Sequence, residues 1–236
     1  MAAESSEINL EKDPGSGKLG PGSEPCAAGS AAGPRRPVAL PPAYVPPIRR
    51  KRILSYATGR QLIADADLLL FRRRGLISIA GRGIHGHAAR AVWARGILLC
   101  CEMRFFSGGR PTLLSQAVRA WPGRIDVYRP NPKNRWRQYD AGAAADWMLR
   151  LAGRDYGLRG LLGAAARHVP IVRLFLPPDV DDRAIDRRPP FCSQACVMAD
   201  RLGGGVDPVP NLADRLVEPA DLARSPFYEY LWTLIP

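Results

Sequence analysis

Histidine is scarce in this sequence: His85, His87 and His168 are the only three among 236 residues. Any chemistry that needs an imidazole must draw on one of them. Cysteine is sparse and odd in number, and Cys26, Cys100, Cys101, Cys192 and Cys196 follow no regular framework. That pattern argues against a disulfide-stapled secreted domain and for a reducing compartment. No apolar run reaches the ~20 residues of a membrane span. The start, Met1 to Leu10, is polar and acidic and lacks the features of a signal peptide. The expected location is therefore cytoplasmic, with virion association or a non-classical export route as alternatives. Phosphate-cradling loops are missing too, because Gly108-Gly109 and Gly203-Gly204-Gly205 are not followed by Lys-Ser/Thr. No aromatic-plus-basic motif for single-stranded nucleic acid is present, and there is no internal repeat.

Acidic residues are the minority, 22 against 34 Lys and Arg, which leaves a net charge of +12. Much of the excess lies in Arg49-Arg50-Lys51-Arg52, Arg72-Arg73-Arg74 and Arg187-Arg188. Such clusters suit nucleic acid, acidic lipid headgroups or an anionic polymer, or simply form a solvated basic face. Residues 1–47 are rich in Gly, Pro, Ser and Ala without apolar periodicity, the composition of a disordered segment. The remainder, 48–236, is long enough for one well-buried domain.

Within that domain the pattern predicts a short helix from Thr58 to Ala64 and a buried strand over Ala66 to Phe71. It also predicts a helix from Thr112 to Ala120 and a strand from Arg124 to Arg129. Asp140 suits the N-cap of a helix from Ala143 to Leu151, and a turn at 153–157 precedes an Ala- and Leu-rich helix to His168. A charged loop follows over 177–190, and the chain ends in a one-turn helix near Pro219 and an aromatic, apolar tail. His87 to Trp93 and Ile97 to Met103 read as a hairpin turning at Arg95-Gly96. A two-residue turn sets Ala94 against Ile97 and Ala89 against Glu102. His87 and Glu102 then share a face as diagonal neighbours, roughly 7–8 Å apart at Cβ. His85 lies on the same face, farther off.

Pro189-Pro190 force an extended approach to Cys192, and Ser193 to Leu202 is free of helix breakers until the glycine run stops it. Cys192 thus falls where a coil becomes a helix, and the helix dipole and unpaired N–H groups there favour a thiolate. A buried apolar cysteine is the plainer alternative. A thiol site needs a sulfur, an imidazole and a group that orients the imidazole. Cys192, His87 and Glu102 are the candidates, with His85 as the competing base. Cys196, one turn on, reads as core, and one of Cys100 and Cys101 is expected to pack inward. A zinc reading with His85, His87, Cys192 and Cys196 is disfavoured, because the Cys pair has three intervening residues and the zinc-deaminase spacing is missing. No metal or cofactor is therefore expected.

The buried run ending at Phe71, His87 opening a strand, Glu102 on the next strand and Phe191-Cys192-Ser193 at a helix start resemble, in that order, the circularly permuted NlpC-like papain-fold proteins of the YiiX-like group. Tyr156-Gly157 and Pro219-Ala220-Asp221-Leu222 also look like features of that group, and the resemblance covers about residues 60 to 226. It implies an α+β fold, a small antiparallel sheet packed by helices with the nucleophile at a helix N-terminus. It further implies Cys192 as nucleophile, His87 as base and Glu102 as orienting residue. Tyr156 and Ser193 would line the substrate groove. The group places an apolar residue and then glycine after its histidine, whereas here Ala88-Ala89 follow His87. The chemistry implied is cleavage or exchange of amide, ester or thioester bonds, on cell-wall peptide, other peptide or acyl substrates.

Overall fold

The structure is a computed structural model that describes residues 52–73, 83–157 and 189–236. The segment 1–47, the helix ending at His168 and most of the 177–190 connection fall outside the described residues. Seven strands make one sheet: β1 (Ile53–Ser55), β2 (Leu68–Arg72), β3 (His85–Ala94), β4 (Ile97–Arg104), β5 (Gly108–Leu113), β6 (Ile125–Pro130) and β7 (Tyr228–Ile235). Their spatial order is β1-β7-β6-β2-β3-β4-β5. Five α-helices are described: α1 (Tyr56–Arg60), α2 (Leu114–Ala120), α3 (Ala141–Leu149), α4 (Cys192–Met198) and α5 (Pro219–Arg224). The architecture is mixed α+β, as expected, but the sheet is neither small nor wholly antiparallel, since β1 runs parallel to β7.

The burial pattern of β2 follows from its central place. Leu68, Leu69 and Leu70 are all fully buried, because helices cover both faces of the sheet and no side of the strand meets water. On one face α2 sets Leu114 and Val118 against Leu69, Phe71, Ala89, Ala91, Cys100 and Val127. On the other, Ala144 and Met148 of α3 and Ala195 of α4 pack against Val92, Cys101 and Met103. Next to them Cys196, Val197 and Leu222 cover Leu68, Leu70 and Ala88. Cys100 and Cys101 therefore both pack inward, one on each face.

The β3–β4 hairpin has the expected register, with Ala94 opposite Ile97 and Ala89 opposite Glu102. Arg95 and Gly96 both take positive φ, 50° and 77°, the combination that a tight turn between right-twisted strands requires. Asp140 caps α3, accepting from the Ala143 N–H at 2.9 Å, although the helix begins at Ala141 rather than Ala143. Three other expectations need correction. Residues 108–113 form strand β5, so the helix expected from Thr112 starts at Leu114. The first helix spans 56–60 because the Ser55 side chain caps it, not 58–64. The aromatic tail is β7, paired with both β6 and β1. Among the described residues, no helix is long and apolar enough to cross a membrane.

Candidate active site

The site forms where β3 loses one of its neighbours. The ladder between β3 and β2 runs on to His87 and His85, whereas the ladder between β3 and β4 stops at Ala89 and Glu102. His87 is thus held from one side by Phe71, its ring 5.2 Å from the phenyl centroid. On the other side its Nε2 meets Oε2 of Glu102 at 2.7 Å. The second carboxylate oxygen of Glu102 accepts from Arg110 Nε at 2.9 Å. Arg110 lies directly opposite Glu102 on β5, so the pair is set by strand register.

Cys192 enters from the helical side. Phe191 is extended, with φ −95° and ψ −180°, and its carbonyl accepts the Ala195 N–H at 2.8 Å, closing the first turn of α4. Gly157 passes so close to the Pro189-Pro190 segment that a Cβ there would lie 2.0 Å from the Pro189 carbonyl oxygen. Its N–H donates to the Pro190 carbonyl at 3.1 Å. The proline pair is therefore gripped just before the cysteine. The buried Cys192 sulfur lies within hydrogen-bonding reach of the His87 imidazole and of the backbone at Ala88 and Ser193.

The electrostatics of the three groups are mutually dependent. Burial works against ionising Cys192, but the hydrogen bond and charge of His87, with the two backbone contacts, hold the thiol below its ordinary value of 9.0. Burial likewise opposes a charged His87, yet Cys192 and Glu102 outweigh it and raise the imidazole from 6.5 to about 9. Glu102 is also penalised by burial, and His87 and Arg110 overcome that and bring it down to about 2. All three shifts run in the direction that favours a thiolate facing an imidazolium with a carboxylate behind it. Such a pair is a preformed nucleophile and proton donor.

Tyr156 packs on Phe191 and Cys192. Its hydroxyl lies within hydrogen-bonding reach of the Cys192 backbone and sulfur, and burial first, then the cysteine charge, push the phenol up. The side chains of the other candidates are engaged elsewhere. His85 Nε2 bonds Asp126 Oδ2 at 2.9 Å, in a polar cluster with Arg72 and Thr233. Arg72 is thereby turned inward, away from the basic face that its sequence cluster suggested. Ser193 is fully buried, and its hydroxyl donates to the Val217 carbonyl at 2.7 Å. It ties α4 to the 214–217 turn instead of lining a groove. Cys196 is buried, and burial is the main reason that its thiol is pushed up to about 12. Among the described residues, no three His, Cys, Asp or Glu side chains are grouped to hold a metal ion, and the four-ligand zinc set is not assembled.

Two contributors escaped the sequence reading. Arg110 sat in a Gly-Gly-Arg-Pro stretch that reads as a turn; continuing the hairpin logic across Phe105-Phe106-Ser107 would have placed it opposite Glu102. Arg90, fully buried on β3, donates to the Cys196 carbonyl at 2.9 Å, to the Ala66 carbonyl at 2.6 Å and to the Tyr228 hydroxyl at 2.8 Å. It is also paired with Asp200, which accepts from Tyr139 at 2.8 Å. This cation fastens the helix that carries Cys192 to the strand that carries His87.

Comparison with known proteins adds little. No family model matches the chain, and no curated protein matches it. Among solved structures the chain is similar to the metalloprotein yiiX from Escherichia coli O157:H7, at 14% identity and a TM-score of 0.49, over 73% of this chain and 98% of that one.

Proposed function

We propose that the protein is a thiol hydrolase that cleaves amide bonds in cell-wall peptides or other peptide and isopeptide substrates through an acyl-enzyme. The observation that carries this reading is the hydrogen-bonded line from the Cys192 sulfur through the His87 ring to Glu102 and Arg110. The Cys192 thiolate attacks the carbonyl carbon and the carbonyl π electrons move onto oxygen. The backbone N–H at Cys192 faces that developing charge. The tetrahedral adduct collapses as His87, already protonated, gives its proton to the departing amine. The neutral imidazole then takes a proton from water, which attacks the thioester and releases the acid and the thiolate. Glu102 keeps the ring oriented and offsets the imidazolium charge throughout. Domain 48–236 would hold the whole reaction, and no cofactor enters any step.

The test treats one sample of the full chain with a thiol-directed electrophile at neutral pH and a separate, unlabelled sample with peptide amides, reading labelling at residue 192 and a thioester adduct by mass spectrometry. Wild type and Cys196→Ala should label and form the adduct; Cys192→Ala should do neither. Equal labelling of the two cysteine variants would refute the assignment. A chain inert to the probe would indicate a binding or assembly module on this scaffold.

A further inference from the structure

The loop joining β4 and β5 breaks the chemistry that turns normally follow. Only Phe105, Phe106 and Ser107 lie between Arg104 and Gly108, which still face each other across the ladder. Such positions usually carry Gly, Asn, Asp or Ser, yet two phenylalanines stand here side by side. Phe106 is 94% exposed and Phe105 45% exposed, their rings 4.4 Å apart edge to face. Burying either ring inside the fold would stabilise the chain, so leaving both in water has a cost that folding does not explain.

The position of this tip relative to the candidate site is fixed by contacts. Phe105 packs on Tyr156 with ring centroids 5.7 Å apart, and Tyr156 packs on Phe191 and Cys192. The base of the loop is tied to the 151–154 turn by two hydrogen bonds, from the Gly109 N–H to the Arg154 carbonyl and from the Gly153 N–H to the Gly109 carbonyl, each 2.7 Å. Arg104, next to the loop, and Arg154, whose carbonyl holds the loop base, are both exposed, as is the acidic Asp155. An aromatic path therefore leads from the most exposed ring of the loop to the wall of the candidate site.

We infer that the Phe105–Phe106 loop is a membrane-docking tip, inserting its rings into the interfacial layer of a bilayer that carries anionic lipid. Three features favour a bilayer over a protein partner. The tip is only three residues long and one of its rings is almost wholly in water, so insertion into a deformable phase requires no complementary groove. Its flanks carry guanidinium groups, which are drawn to anionic headgroups. The chain as a whole is at +12, which supports approach to such a surface. The inference does not depend on the thiol chemistry, although docking here would bring the Tyr156 side of the site towards the lipid.

The test is sedimentation of the full chain with vesicles of phosphatidylcholine and phosphatidylglycerol, and with vesicles of phosphatidylcholine alone. Wild type should bind the anionic vesicles, and less so as salt rises. Phe106→Ser should weaken binding by about tenfold or more, on the order of one buried ring. Phe105→Ser/Phe106→Ser should weaken it further, and Phe106→Trp should retain it. Thermal unfolding of Phe106→Ser should match wild type, because the ring supports no core. Cys192→Ala should bind like wild type, which separates docking from catalysis. Binding that is indifferent to Phe106→Ser would assign it to arginine clusters such as 49–52 and overturn the inference. So would an absence of vesicle binding, including one accompanied by self-association that the serine variant abolishes.

Discussion

Replacing Glu102 with glutamine removes one charge and almost no volume from the candidate site. His87 is lifted from 6.5 to about 9 against the opposing effect of burial. At ~1.4 kcal/mol per pH unit, the net preference for the imidazolium is on the order of 3 kcal/mol, shared between Cys192 and Glu102. Cys192 is the stronger of the two influences, so Glu102→Gln should lower the imidazole by about one unit. In turnover, the alkaline limb should move from near pH 9 towards pH 8. Stability must shift with it, and the sign follows from linkage. A raised His87 contributes stability that is complete below 6.5 and is lost as pH climbs through about 9. A lowered Glu102 contributes stability that is complete above 4.5 and is lost as pH falls through about 2. Both contributions are fully present only between about 4.5 and 6.5. The gap in unfolding free energy between wild type and Glu102→Gln should therefore be widest there and narrow towards pH 10, where the share from His87 is gone and the share from Arg110 remains. Urea titrations across pH 4 to 10, run beside pH–rate profiles, measure both effects. A gap as wide at pH 10 as at pH 6, together with an unmoved alkaline limb, would refute the coupling.

The remaining expectations concern groups around the site. Arg90→Met should cost on the order of 3–5 kcal/mol in denaturant unfolding, because it strands the buried Asp200 carboxylate. Arg90→Met/Asp200→Leu should recover part of that loss even if the single variant does not fold, and a double variant no better than the single would show that the carboxylate is not the cause. His85→Gln should lower stability by about 1–3 kcal/mol by disrupting the bond to Asp126. It should leave the pH dependence of Cys192 labelling unchanged; a shift in that profile would reinstate His85 as the base.

Local pattern carried part of this architecture and stopped at identifiable points. The Arg95-Gly96 turn specifies its own register, so the His87–Glu102 pairing followed from a few adjacent residues. β5 did not show, because Gly108-Gly109-Arg110-Pro111 looks like a turn. It is an edge strand, where a proline's missing N–H is tolerated. β7 passed for a tail because its partners begin at Ile53 and Ile125, far away in sequence.

Arg90 was the hardest residue to read, since nothing near it in sequence explains a buried guanidinium; its carboxylate is 110 residues downstream. That separation has a mechanical consequence for the site. Arg90 lies three residues beyond His87 on β3, and the carbonyl it holds belongs to Cys196, one turn after Cys192 on α4. Imidazole and sulfur come from elements a hundred residues apart, and no local preference could keep them within a hydrogen bond of each other. A buried cation that pins the same strand to the same helix can do so. The network at Arg90, Asp200, Tyr139 and Tyr228 thus acts with the packing of Cys196 and Val197 on Ala88 to present a short helix and a strand end to one another.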